Sequence, residues 1–179
     1  MEDKLEKIIS KRLIMTLSNI NEIKELENIE RECKLYFSFD PKNEINPDWS
    51  IKDCILKKDV PSNCRSENYY FLSIRYEETI IGFLDFCLNY MDKNILYIST
   101  LYILERFRKN GFGQEIIETI IKNISEIGIN EIQIHCSLRN SLGLQFWIKQ
   151  GFNQIMEVEC DGNLFPENFG GIKLKKRIK

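Results

Sequence analysis

One histidine, four prolines and no Cys-x-x-Cys pair occur in this chain of 179 residues. His135 stands alone, and the six cysteines are scattered at positions 33, 54, 64, 87, 136 and 160. That pattern argues against a zinc site and against a disulfide framework. The cysteines therefore read as free, mostly buried thiols of a reducing compartment. No run of 18 apolar residues occurs, so no membrane-spanning helix is expected. The formal net charge is only −2, which gives no general pull toward nucleic acid or an anionic membrane. The N-terminal segment MEDKLEKIIS is charged and has no apolar signal core, so a cytoplasmic location is expected. The basic end, residues 173–179, has no interleaved aromatics and reads as a solvated strand edge.

What is present is a mixture suited to one globular domain over residues 1–179. Hydrophobic residues make up 43% and charged residues 29%, in the range of a packed domain with a solvated surface. Residues 11–17 read as a first strand. Asn19 and Glu22 form a capping box for a helix whose apolar side carries Ile20, Ile23, Leu26, Ile29 and Cys33. Residues 40–68 are irregular, with a short helix around Ile51 and Ile55. Residues 69–76 and 80–90 read as two antiparallel strands joined by a tight turn at residues 77–79, and another turn leads into a strand over 95–104. A helix then precedes a strand over 132–136, so these last two strands should run parallel. A helix stopping at Gly151 and strands over 152–159 and 171–178 complete the chain. The fold class implied is α+β: a mixed, mostly antiparallel twisted sheet with helices on both faces.

The centre of this pattern is residues 101–117. A strand rich in β-branched and aromatic residues runs into Arg108, Lys109, Asn110, Gly111, Phe112 and Gly113. A helix follows with Ile116, Ile117, Ile120, Ile121, Ile124 and Ile127 on one stripe. Two glycines permit close backbone approach, and the free N–H groups of a helix start favour an anion such as a diphosphate. The run is not a P-loop, and Ile116 occupies the place of the third glycine of a dinucleotide fingerprint.

Arg108-Lys-Asn-Gly111-Phe-Gly113 after a strand resembles the Arg/Gln-x-x-Gly-x-Gly/Ala signature of the GCN5-related N-acetyltransferases in every defined position. A second signature of that superfamily follows: the 132–136 strand, Asn140, the aromatic pair Phe146-Trp147, then Gly151-Phe152. The resemblance extends loosely over nearly the whole chain. It implies an acetyltransferase fold whose parallel strand pair is splayed, with acetyl-CoA or a related acyl-CoA as donor and no metal. The diphosphate would lie on residues 108–113 and the pantetheine arm along Leu101, Tyr102 and Ile103. Asn140 would contact the arm, or cap the following helix, or both. Trp147 would wall the acyl channel. Phe37, Phe39 and Trp49 would line the acceptor side, or pack the short helix on the sheet.

Two residues depart from the family's pattern. Trp147 stands where many members have a tyrosine that protonates the leaving thiolate, and an indole N–H is not a usable acid. Tyr97 stands where some members carry a glutamate base. Tyr97, Tyr102 and Asp85 are the substitutes the sequence offers for proton transfer. The expected function is transfer of an acetyl group to a primary amine of a small molecule, amino acid or protein. The alternative is a CoA-binding protein of the same fold without catalytic activity, and a nucleotide-binding α/β protein is a distant third. The sequence names no acceptor and leaves a homodimer open.

Overall fold

The apolar runs within residues 69–103, buried on both faces over most of their length, build the middle of an eight-stranded sheet with strand order β1-β2-β3-β4-β5-β6-β8-β7. The computed structural model describes residues 5–36, 50–160 and 170–178, with side chains for all of these except residues 33–36. The strands are β1 (Lys7–Ile9), β2 (Leu13–Leu17), β3 (Tyr69–Tyr76), β4 (Thr79–Leu88), β5 (Ile95–Ile103), β6 (Glu131–Ser137), β7 (Gln154–Cys160) and β8 (Gly170–Arg177). The helices of five residues or more are α1 (Ile23–Tyr36), α2 (Ile51–Ile55), α3 (Phe112–Ser125) and α4 (Ser141–Lys149). Every neighbouring pair is antiparallel except β5 and β6, the pair joined through α3. No helix among the described residues is long and apolar enough to cross a membrane.

Two apolar layers sandwich the sheet. On one face Ile116, Ile117, Ile120 and Ile124 of α3 and Trp147 of α4 pack on Leu72, Ile74, Leu84, Phe86, Leu96, Ile98, Ile132 and Ile134. On the other, Leu26 and Ile29 of α1 with Ile51 and Cys54 of α2 cover Tyr69, Phe71, Phe83 and Tyr102. Each buried Ile or Leu side chain contributes about 1.5–3 kcal/mol relative to exposure, so these stripes hold the helices in place.

The capping box at Asn19 is present, with Glu22 answering the Asn19 backbone N–H. The short helix over 51–55 is capped by the Ser50 side chain, which accepts from the Asp53 N–H. β1 is a strand that the sequence does not announce. Its three residues, Lys-Ile-Ile, are too few to show alternation, and pairing with β2 supplies the order. A second difference is chemical. Cys64 and Cys87 are joined in a disulfide, where free thiols were expected. The connection after α2 folds back on β4 and brings the two Cα atoms to 5.9 Å, which their 23-residue separation could not reveal. Cys54, Cys136 and Cys160 are free. Reduction should lower the stability by about 3 kcal/mol, the loop-closure value for such a span. Denaturant melts with and without dithiothreitol measure this, and Cys87→Ser should remove the sensitivity.

Candidate acetyl-CoA and acceptor site

β5 positions the site. Its pairing with β6 covers only Ile95–Ile98 against Glu131–Ile134. Beyond that β5 continues to Ile103 and β6 to Ser137 with no pairing between them. The divergence starts at a bulge. Asp85 pairs with Thr100 and Phe86 with Ile98, so Ser99 is the extra residue, and a bulge bends the strand that carries it. The Leu104 N–H donates to Ile81 O on the β4 side. By strand alternation the backbone groups of Leu101 and Ile103 face the opening toward β6, while those of Tyr102 face β4. Gly82 allows that approach, because a Cβ there would overlap the Tyr102 carbonyl oxygen.

The strand then enters the glycine turn. Arg108 folds back: its Nε donates to Ile103 O at 2.7 Å, and its guanidinium lies 4.9 Å from the Tyr102 ring centroid. Lys109 is exposed in the left-handed region at φ 60. The Asn110 side chain braces the turn by donating to Phe107 O (3.1 Å) and Arg108 O (3.2 Å). Gly111 is the N-cap of α3 at φ 81, a conformation that side chains rarely adopt. Phe112 is buried against Tyr76, 5.0 Å between ring centroids. Gly113 has a packing reason that the sequence does not show. A Cβ there would sit 2.8 Å from the Phe146 ring, so Gly113 lets α4 press against α3. Gly113→Ala should therefore weaken the α3–α4 contact, and adding Phe146→Leu should recover most of the lost stability in thermal melts.

Asn140 caps α4, its Oδ1 accepting from the Gly143 N–H at 2.8 Å. Only a glycine fits at 143 beneath that amide. Trp147 is buried, edge-on to Phe146 and Phe152 at 5.0 Å each.

The three residues named for proton transfer share the opposite face, the one covered by α1 and α2. Asp85 is 3% exposed. Burial pushes its carboxyl up to about 6, opposed first by the Tyr69 hydroxyl, which donates to Oδ2 at 2.9 Å, and then by Thr100 and Ser99. Oδ1 has no well-formed hydrogen-bond partner among the described residues. Tyr97 stacks on Tyr90 at 4.4 Å, and burial, then Tyr90 and Asp85, push its phenol up to about 12. Tyr102 is buried with its ring against Phe83, 5.9 Å between centroids. His135 lies on this face too, with Nε2 3.6 Å from Glu159. Burial lowers its pKa, against the pull of Glu159. Lys173 bridges Glu157 (2.8 Å) and Glu159 (2.5 Å) beside it. Burial pushes the thiol of Cys54 up to about 12 and that of Cys136 up to about 11, which disfavours the thiolate of both at neutral pH. Phe37, Phe39 and Trp49 lie outside the described residues.

Sequence reasoning missed Tyr69, the hydroxyl that holds Asp85. It also missed Arg12 and Glu115, whose contacts with the turn join segments about a hundred residues apart. A chain-order reading carries no signal for either contact.

Residues 23–152 match the family model described as "Acetyltransferase (GNAT) family". The chain belongs to this family. None of the curated proteins matches it in sequence. Among solved structures it is similar to RimL, a ribosomal L7/L12 alpha-N-protein acetyltransferase in complex with coenzyme A. That comparison gives a TM-score of 0.75 at 14% identity, covering 97% of this chain and 98% of that one. The acetyltransferase from Salmonella typhimurium that modifies the N-terminal serine of 50S ribosomal subunit protein L7/L12 gives 0.73 at 13% identity, covering 97% and 100%. The Microcin C7 self-immunity acetyltransferase MccE, in complex with acetyl-CoA and AMP, gives 0.70 at 18% identity, covering 94% and 93%. At these identities the likeness is one of fold, and the opening between β5 and β6 in front of the glycine turn belongs to a GNAT domain.

Proposed function

We propose that this GNAT domain is an N-acetyltransferase that moves an acetyl group from acetyl-CoA to a primary amine of a small molecule, amino acid or protein. The observation that carries the reading is the parallel pair that parts at Ile98 and Ile134, directly before a turn with two glycines and a helix start. The backbone groups of Leu101 and Ile103 face that opening and can pair with the amide groups of a pantetheine arm. The Arg108 N–H is taken by the Glu105 carbonyl, so the N–H groups of residues 109–113 receive the diphosphate, with Arg108 and Lys109 adding positive charge. Oδ1 of Asn140 is committed to its helix, so contact with the arm falls to its Nδ2 hydrogens. Trp147 serves as a wall.

The acceptor amine enters from the α1/α2 face. Attack forms a C–N bond, the C–S bond breaks, and a backbone N–H of Leu101 or Ile103 stabilises the oxyanion. Asp85 takes the amine proton through a water. Its raised pKa leaves it ionised at neutral pH and closer in basicity to its task than an ordinary carboxylate. Tyr97 remains a protonated donor at that pH and is the group for the departing thiolate, with solvent as its relay. Tyr102 is more deeply packed, and its ring supports Arg108 and Phe83.

RimL, an alpha-N-protein acetyltransferase, supplies a protein N-terminus as one acceptor class by analogy of fold, and the AMP held with acetyl-CoA in MccE directs part of the search to small molecules. The test is release of CoA thiol across a panel of amines, N-terminal peptides and amino acids, with calorimetry on acetyl-CoA alongside. Donor-dependent thiol release with one acceptor class supports the reading. Binding of acetyl-CoA with no release across the panel would favour the CoA-binding alternative.

A further inference from the structure

We propose that Arg12, in the turn between β1 and β2, is a positioning residue for the diphosphate turn of α3. The inference rests on the acyl-CoA reading of residues 108–113 and extends it to a segment far away in sequence. Arg12 Nε donates to Glu115 Oε2 at 2.7 Å, and its backbone N–H donates to Oε1 at 2.7 Å. Ser10 Oγ donates to the same Oε1 at 2.6 Å. Arg12 Nη1 donates to the carbonyl oxygen of Asn110 at 3.0 Å. The guanidinium lies 4.4 Å from the Phe112 ring centroid, and Nη2 is 3.5 Å from the place of a Gly111 Cβ. One side chain thus touches Asn110, Phe112 and Glu115 and lies beside Gly111.

Two consequences follow for an anion at the helix start. A trans peptide points its C=O and N–H in opposite directions. With the Asn110 carbonyl drawn to Arg12, the Gly111 N–H is turned away from Arg12, out of the turn. Lys109 and Gly111 are both left-handed, so the peptides between them have alternatives to choose from, and this contact selects one. The second consequence is electrostatic. Glu115 is an acidic residue in the first turn of α3, where it would repel a diphosphate. Partial burial opposes its charge, but hydrogen bonds from Ser10 and Arg12 and the Arg12 charge hold it below the usual carboxylate range. Arg12 thus keeps a carboxylate tied down and neutralised beside the anion site.

The test compares two acyl donors, acetyl-CoA and acetyl-pantetheine, which lacks the diphosphate. Arg12→Ala should raise KM for acetyl-CoA by roughly tenfold, the effect of losing charge-assisted hydrogen bonds behind the turn. It should leave kcat unchanged and leave KM for acetyl-pantetheine unchanged. Arg12→Lys keeps the charge without the fork and should fall between; it also stands in should the alanine variant not fold. Equal losses with both donors, or an unchanged KM for acetyl-CoA, overturn the proposal. Calorimetry of the unaltered protein with CoA separates the two levels. Absence of CoA binding there overturns the acyl-CoA reading as well, whereas binding that is insensitive to Arg12 overturns only this inference.

Discussion

Replacing Asp85 by asparagine should stabilise the protein at neutral pH and remove most of its turnover. The carboxyl is held at about 6 against an ordinary value of 3.8, with burial as the main cause. The native state therefore binds this proton more tightly than the unfolded chain does. Stability falls as pH rises between those two values, and above about pH 6 the native state carries the whole cost of the buried charge. Roughly two pH units correspond to on the order of 3 kcal/mol. An asparagine still accepts from the Tyr69 hydroxyl but carries no charge. Urea melts should show Asp85→Asn more stable than the parent at about pH 7.5, with no gain at about pH 3.5, where the parent carboxyl is already neutral. An equal gain at both values would mean that the buried charge is not its source. If Asp85 is the base, acetyl transfer should fall by ~10²-fold or more. The parent's kcat/KM should rise through about pH 6 and then level, because only the ionised carboxyl can take a proton. A site residue that costs stability and supplies a proton acceptor gives both effects from one substitution.

The elements readable from the sequence are those whose reasons are local. The strands around 69–103 declare themselves by β-branched and aromatic runs bounded by turns, α3 by its isoleucine stripe, and the helix after Asn19 by its capping box. The parallel pairing of β5 and β6 follows from one helical crossover, and the two glycine signatures point to the family. Features that depend on chain segments meeting in space are not readable in this way. Gly113 reads as a turn glycine, and its close contact with Phe146, on another helix, has no sign in the sequence. Cys64 and Cys87 look like scattered thiols until a loop folds over β4. Asp85 reads as one polar residue in an apolar strand. Its raised pKa comes from burial beneath the α1/α2 layer, opposed by the hydrogen bond from Tyr69 on the neighbouring strand. Tyr102 and Tyr97 show the limit of counting along a strand. The bulge at Ser99 between them changes the alternation, so residues of odd and even number come to share one face.

Gly111→Val should leave a folded protein that has lost CoA binding. The residue sits at φ 81 on an exposed turn, where a β-branched side chain is an outlier that costs ~1–3 kcal/mol. The sheet and both apolar layers lie elsewhere, so the loss of stability should stay within that range. The turn can relieve the strain by rotating the Asn110–Gly111 peptide, and doing so turns the Gly111 N–H away from the anion. Losing one or two hydrogen bonds to a charged group, at about 1.5–3 kcal/mol each, corresponds to a fall in CoA affinity of roughly 100-fold or more. Gly111→Asn is the control, because asparagine tolerates the left-handed region better than other side chains. It should keep most of the affinity, although its side chain adds the same Cβ beside Arg12. Calorimetry with CoA, together with thermal melts, reads both quantities. Unchanged affinity in a folded Gly111→Val protein would place the diphosphate away from this turn. Equal loss in the valine and asparagine variants would make the cause steric crowding at the turn and not the direction of its N–H.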